Sequence, residues 1–353
     1  MKKIIHIDAD CFFAAVEMRE NPRWVGLPLA VGGSALRRGV IATCNYEARR
    51  FGVHSAMSSA HALRLCPQLE IVAPRMSLYR EYSQTMQQIF SQFTDIIEPL
   101  SLDEAFLDVS ESNSFYGSAT LIAQEIRRQV EASLGIQVSA GVAPVKFLAK
   151  IASDWRKPNG LFVIQPEMVA HFVPTLAVKK LPGVGPVTAK KLARYGIHEC
   201  ADIQACGLEK VVRLFGAYGT KLHEMSQGID ARSIAPRSER KSVSVERTYD
   251  EDIQSVSALS PRLEELLVAL QHRMEGSNVC DKAYKAFVKL KFDDFTITTM
   301  ETRIGRSASQ AFDIYARLMG AAWQRHKRPV RLLGVGVRMR DESPAQLDLP
   351  FCV

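Results

Sequence analysis

The sequence predicts an α+β protein of more than one domain, and three observations carry that reading. The chain runs to 353 residues, too long for one small core. Short apolar runs of period two are interleaved with longer runs of helical spacing. The texture changes twice, near residue 166 and again near 231. With 47% hydrophobic and 24% charged residues, the composition is that of an ordinary globular protein.

Taken in order, "KIIHIDA" (3–9) reads as a short buried strand and "CFFAAVEMRE" (11–20) as a helix. "LPLAVGG" and "GVIATCNYEARRFG" add a strand, a Gly-rich turn and a second strand-to-helix passage, and "SAMSSAHALRLCP" is a helix stopped by Pro67. Residues 76–93 form a long amphipathic helix. "IIEPLSLDEAFLDV" gives two strands with an internal turn. The helix "SATLIAQEIRRQVEASLG", the strand "QVSAGVA" and the helix "VKFLAKIASDWRK" follow. Strand, helix, strand, strand, helix, strand is the split βαβ or ferredoxin-like order, here with a large insertion after the first strand. From 166 the chain turns to short helices with Gly-containing turns. Residues 231–242, "ARSIAPRSERKS", read as a linker. Beyond it "SVSVERTY", "ALSPRLEELLVALQHRM", "KAFVKLKFDDF", "ASQAFDIYARLMGAAWQRH" and "VRLLGVGVRMR" alternate strand and helix as a second small α+β unit. The tail "DESPAQLDLPFCV" has no periodicity and is expected to be exposed.

Several function classes fall away. Asp8, Asp10 and Glu17 arrive too early for a secretory signal or a membrane span, so a cytoplasmic, membrane-free protein is expected. Seven cysteines (11, 44, 66, 200, 206, 280 and 352) are scattered without a C-x-x-C pair, which reads as reduced thiols. The eight histidines show no metal-binding spacing. Residues 1–145 carry 13 Lys+Arg against 15 Asp+Glu, net −2, while 146–353 carry 32 against 23, net +9. A positive excess confined to the later part points to a polyanion, of which nucleic acid is the commonest in cytoplasm; a solvated basic surface is the plainer alternative.

"SLDEAFLDV" (101–109) sets Asp103 and Glu104 inside a run that otherwise favours burial. In a ferredoxin-like sheet the first strand, ending near Asp8, neighbours that hairpin. Adjacent strand residues face opposite ways, so both acids reach one site only at a turn, bulge or strand end. Three crowded carboxylates repel and are costly to desolvate unless a cation neutralises them. An oxygen-only donor set favours Mg²⁺ or Mn²⁺, and a pair of such ions suits in-line attack at phosphorus. Acids that merely cap turns and stay in water are the other reading.

Two further stretches bear on function. "LPGVGPVTAKKL" (181–192) has the helix-hairpin-helix pattern, in which turn amides and a helix N-terminus face a phosphate. Gly183 and Gly185 permit close backbone approach, and Lys190 and Lys191 add charge. A plain helical hairpin is the alternative. In the tail, Gln346 precedes Leu347, Leu349 and Phe351 at alternating positions, an extended peptide able to dock apolar anchors in a pocket.

Together, "HIDADCFFAAVE", "ATCNYEARRFGV", "EPLSLDEAFLDV", "AGVAPVKFLAKIASDWRKPNG" and "LPGVGPVTAKKL" resemble the Y-family translesion DNA polymerases, most closely their bacterial DNA polymerase IV branch. The match runs in order from residue 2 to about 340. The resemblance implies a catalytic palm at 1–10 and 74–165, fingers at 11–73, a helix-hairpin-helix thumb at 166–230, a linker at 231–242, a little finger at 243–341 and a clamp-binding tail at 342–353. It implies Asp8 and Asp103 as metal-binding aspartates, Glu104 as the catalytic glutamate of the same site, and the Ala9 backbone carbonyl as completing a metal shell. Asp10 matches a family acid that is not a main ligand.

Phe13, with Phe12 beside it, matches the steric gate, whose aromatic face leaves no room for a ribose 2′-hydroxyl. Thr43, Tyr46, Arg49 and Lys157 match groups that hold the incoming triphosphate. The tail resembles the six-residue bacterial sliding-clamp peptide, with Pro350 in its variable place. The implied activity is low-fidelity, template-directed DNA synthesis without proofreading, using two Mg²⁺ and deoxynucleoside triphosphates on primer-template DNA. The rival readings are a nucleotide cyclase on a palm-like fold, which has no use for the hairpin and basic second unit, and a non-catalytic DNA-binding repair factor, against which the intact acids argue.

Overall fold

A computed structural model describes residues 2–235, 240–277, 279–305 and 311–340. The chain divides into two compact units, Met1–Arg237 and Ser238–Val353.

The first unit is organised on β1 (Ile4–Ala9), the central strand of a five-stranded sheet. After it come α1 (Phe12–Glu20), β2 (Leu29–Gly32), β3 (Ile41–Cys44), α2 (Tyr46–Arg49), α3 (Ser59–Leu65) and β4 (Glu70–Val72). The chain returns to the main sheet through α4 (Met76–Phe90), β5 (Ile97–Pro99), β6 (Glu104–Asp108), α5 (Ala119–Leu134), β7 (Val138–Ala143), α6 (Lys146–Trp155) and β8 (Leu161–Val163). The strand order is β5-β6-β1-β7-β8, with β1 antiparallel to both neighbours. Without the edge strand β8 this is the ferredoxin-like arrangement the element order predicts.

Alternation along β1 sorts its side chains. Ile5, Ile7 and Ala9 enter the core beneath α4 and α5, while Ile4 packs with Phe106 and α6 on the other face. Asp8 shares that second face. Gly141 of β7 makes the close seating of α6 possible: a Cβ there would collide with the Ala149 carbonyl oxygen and the Ser153 amide nitrogen.

The segment between β1 and α4 forms its own three-stranded sheet, ordered β3-β2-β4. Its core is built of small and medium side chains, among them Ala30, Cys44, Ala48, Val53 and Ala62. The buried Asn45 caps α2 by accepting from Ala48 N (3.1 Å) and also accepts from Leu29 N (3.0 Å), fastening the helix to β2.

The helical part comprises α7 (Pro166–Phe172), α8 (Pro186–Ala193), α9 (Cys200–Cys206), α10 (Leu208–Phe215) and α11 (Ala217–Ser226). Of the stretch expected as a linker, 231–235 are strapped to the main sheet. Lys146 Nζ donates to both oxygens of Glu98 (2.7 and 2.6 Å), Ala235 N donates to Glu98 Oε2 (3.0 Å), and Ile234 is buried. Just upstream, Phe147 N donates to Asp230 Oδ2 (3.1 Å). Residues 236–239 lie outside the described residues, and Ser242 already belongs to the next strand. The basic composition that suggested a free linker conceals one buried isoleucine and a run of backbone and carboxylate contacts.

The second unit contains β9 (Ser242–Ile253), α12 (Val256–Glu275), β10 (Ala283–Phe292), β11 (Ile297–Arg303), α13 (Ala311–Gln324) and β12 (Val330–Met339). Its antiparallel sheet is ordered β11-β10-β12-β9, with α12 and α13 packed on the face that carries Ala286, Val288, Leu290 and Phe292. The other face of β10 carries Lys285, Lys289 and Lys291. Strand β11 was not expected from sequence, because threonines take positions where apolar residues would have announced a period of two. Among the described residues, no helix is long and apolar enough to cross a membrane.

The tight seating of α6 generates a prediction. Gly141→Ala is expected to destabilise the protein by about 1–3 kcal/mol through overpacking. In urea this reads as a lower unfolding midpoint at unchanged m value.

Candidate active site

The pairing of β1 with β6 decides the site. Asp8 lies directly opposite Glu104 in the antiparallel register, and Ala9 N donates to the Asp103 carbonyl at 3.0 Å. Asp103 sits in the bend just before β6, where Ser101 Oγ donates to Asp103 Oδ1 (2.5 Å) and accepts from Glu104 N (3.1 Å). The acids therefore meet at a strand end, one of the backbone settings in which neighbouring residues can serve one place.

Like charges directly opposite one another across a strand pair are unfavourable, and α6 with the loop after it supplies the countercharge. Lys157 Nζ pairs with Asp8 Oδ1, and Lys150 Nζ pairs with Glu104 Oε2 at 2.5 Å. Burial pushes the Asp8 carboxyl up to about 6 against the pull of Lys157, with Glu104 and Asp103 adding to the rise. Glu104 is held down to about 2 by His6 and Lys150 against its own burial. His6 is itself pushed down to about 4 by burial, and its Nε2 stands 3.7 Å from Glu104. A neutral imidazole at that distance does not hydrogen-bond, so the lysine pair is the stronger hold.

Among the described residues no three acid, histidine or cysteine groups stand in a ready metal-binding set. Asp8, Asp103 and Glu104 each have a separate partner: Lys157, Ser101 and Lys150. The donor chemistry nonetheless fits a hard divalent cation: oxygen ligands alone, and two carboxylates already balanced by two positive charges.

Asp10, just past the end of β1, is 3% exposed and works as a fastener. It accepts from Ser139 Oγ (3.0 and 2.9 Å), from Asn159 N (2.7 Å) and from Tyr46 Oη (3.2 Å). One carboxylate so ties together the sheet, the loop carrying Lys157 and the start of α2. Arg49 lies over the Tyr46 ring (4.8 Å to its centre) and donates to the Cys44 carbonyl (3.2 Å). Thr43 is half-buried one residue before Cys44 on β3.

Phe13 stands near the start of α1 with its ring stacked on Tyr79, centres 4.2 Å apart and planes at 13°. Phe12, expected beside it as a substrate contact, is 2% exposed and packs into the core. Adjacent residues of a helix point about a quarter-turn apart, so Phe13 stays half-buried while the Phe12 ring is lost to the interior.

At the hairpin, Gly183 has φ +91°, where a side chain would be strained, and Gly185 caps α8 ahead of Pro186. Lys190 is exposed. Lys191 departs from expectation: its ammonium donates to the Leu214 carbonyl at 2.6 Å and lies over the Phe215 ring, so it caps the neighbouring helix α10. Gln346, Leu347, Leu349 and Phe351 lie outside the described residues. Sequence reasoning missed Lys150, although Lys146, Lys150 and Asp154 follow the four-residue spacing of one helix face and Lys157 continues the stripe. It also missed Glu17 and Tyr79, which gave no local signal.

Residues 7–154 match the impB/mucB/samB family, residues 240–349 its C-terminal domain, and residues 179–230 the thumb domain described for DNA polymerase-iota. The chain is 56% identical to the DNA polymerase IV of Pseudomonas syringae pv. tomato over 99% of this chain and 98% of the relative. It is 57% identical to that of Ectopseudomonas mendocina over 96% of each. Among solved structures, a Y-family DNA polymerase chimera of Dbh and Dpo4 superposes with TM-score 0.86 at 30% identity, covering 95% of this chain and 98% of the chimera. An insertion ternary complex of Dbh DNA polymerase gives 0.67 at 29% identity, covering 96% and 98%. Motif, fold and full-length likeness thus agree: this chain belongs to the Y-family DNA polymerases, in the DNA polymerase IV branch.

Proposed function

We infer that the protein is a low-fidelity translesion DNA polymerase, adding deoxynucleotides to a primer 3′-hydroxyl on a DNA template with release of pyrophosphate. The observation that carries the chemistry is the meeting of Asp8, Asp103 and Glu104 at one strand end, two of them facing in register. A cyclase would leave the hairpin and the basic second unit without purpose, and a non-catalytic binding factor would leave the acids without one.

In this reading Asp8, Asp103, Glu104 and the Ala9 carbonyl oxygen hold two Mg²⁺, for which Mn²⁺ can substitute. The chemistry such ions would supply is a lower pKa for the attacking hydroxyl and an offset to charge on the departing pyrophosphate. The protein's own groups do the rest. Glu104, kept ionised, presents a carboxylate beside the primer terminus. Lys157, paired with Asp8 in the structure, is released toward the triphosphate once Asp8 is otherwise neutralised. There it would share the phosphates with Arg49, Tyr46 and Thr43. Asp10 keeps Tyr46 and the Lys157 loop at fixed separation. The Phe13 ring occupies the space a 2′-hydroxyl would need, so ribonucleotides are excluded by shape and by the lack of a hydrogen-bond partner.

Gly183, Gly185 and Lys190 contact the DNA backbone, a mode that positions without reading sequence. The small fingers core leaves little mass to close over the nascent pair, which supports tolerance of damaged templates. The palm is assigned to 1–10 and 74–165, the fingers to 11–73, the thumb to 166–230 and the little finger to 243–341. The tail, through Gln346, Leu347, Leu349 and Phe351, docks on the sliding clamp, and the protein works in the cytoplasm.

Three outcomes test this function. Asp103→Ala and Glu104→Ala should each lower primer extension by about 10²–10³-fold or more, with DNA binding retained in a gel-shift measurement; extension at the parent rate by either variant overturns the site. Phe13→Val should raise kcat/KM for ribonucleotides by about 10–100-fold, read from single-nucleotide insertion. Deleting residues 346–353 should leave basal extension intact and remove stimulation by added clamp.

A further inference from the structure

Tyr79 and Glu17 together make a support behind the gate ring that nothing above has used. Phe13 and Glu17 are four residues apart on α1 and so lie on one helix face. Tyr79, from the first turns of α4, spans both. Its ring stacks on Phe13 (4.2 Å, 13°), and its hydroxyl donates to Glu17 Oε1 at 2.6 Å. Tyr79 is fully buried, and Glu17 is 2% exposed.

A buried carboxylate is tolerated only when paired. Arg75, at the N-cap position just before α4, closes on it as a fork, with Nε to Oε1 at 2.9 Å and Nη2 to Oε2 at 2.6 Å. Burial and the Glu17 hydrogen bond push the Tyr79 phenol up to about 12, so it remains a donor at working pH. The three groups form a closed chain: helix α1 holds α4 through the carboxylate, and α4 holds the stacked ring pair on α1.

A steric gate excludes a hydroxyl only to the extent that its ring cannot retreat. The face of Phe13 that stacks rests against Tyr79, and a ring fixed at its Cα alone can swing about two torsions. The hydrogen bond at the far end of the phenol removes that freedom. The catalytic groups are untouched by this chain of contacts.

We propose that Glu17 is a positioning residue for sugar selection: clamped by Arg75, it anchors the Tyr79 hydroxyl and makes the Tyr79 ring a rigid backstop for Phe13. The inference rests on the reading of Phe13 as the gate.

The test is single-nucleotide insertion by the full-length enzyme on primer-template DNA, comparing kcat/KM for a deoxynucleotide with that for the matching ribonucleotide in four variants. Tyr79→Phe removes only the hydroxyl, Glu17→Ala removes the acceptor, Glu17→Gln keeps an acceptor, and Phe13→Val is the reference. Tyr79→Phe and Glu17→Ala should each lower the discrimination ratio by about tenfold, the scale set by one loosened packing group. The drop should come from a lower ribonucleotide KM, with deoxynucleotide kcat/KM within about twofold of the parent. Their double variant should fall no further than either alone, as expected of partners in one contact. Glu17→Gln should recover most of the parent ratio.

If Phe13→Val lowers the ratio while Tyr79→Phe leaves it unchanged, the gate stands and the role of Glu17 is refuted. If Phe13→Val itself changes nothing, the gate reading fails. Should Glu17→Ala not fold, Tyr79→Phe decides alone.

Discussion

The antiparallel register between the first strand and β6 is the constraint on which everything else hangs. It places Asp8 against Glu104 and brings the Asp103 carbonyl onto the Ala9 amide. Such a juxtaposition of acids costs free energy in a folded protein. The molecule offsets it with Lys150 and Lys157 and positions those lysines with a helix pressed onto Gly141. A one-residue slip of β6 would turn Glu104 to the core face and Phe106 out of its pocket. The hydrophobic alternation that buries Phe106 and Leu107 on opposite faces thus also sets the geometry of the candidate site.

Electrostatically, the unliganded site is a set of balanced pairs. Each of the three carboxylates has a cation or hydroxyl as partner, so under the proposed reading a divalent ion would exchange partners with them more than fill a bare negative cavity. Asp8, with its carboxyl at about 6, has the weaker hold on its charge of the two facing acids.

Much of this was legible in the sequence, for identifiable reasons. The acids at 8, 103 and 104 were readable because strand alternation and a turn signal both converge on them. The ferredoxin-like order was readable because strands and helices there have clean periods. Long-range partnerships were not: Glu17 with Arg75 and Tyr79, or Asp10 with Ser139 and Asn159, join residues with no local pattern to connect them. The helix-capping contact of Lys191 gave no signal either, because charge beside a phosphate-binding turn looks the same with or without it. Phe12 and Phe13 are indistinguishable as letters, and only burial separates them. Strand β11 hid behind threonines, and the strap at 231–235 behind arginines.

Asp10 also has a mechanical meaning. The two side chains assigned to the phosphate end of the pocket, Tyr46 and Lys157, come from segments more than a hundred residues apart, yet both are referenced to this one carboxylate on the central sheet. The inserted module is therefore fastened to the central sheet through Asp10 at its phosphate-side edge, besides the packing of Leu29 and Val31 in the main core. Loss of that one carboxylate would slacken both segments at once, although neither it nor its bonds belongs to the group of acids at 8, 103 and 104.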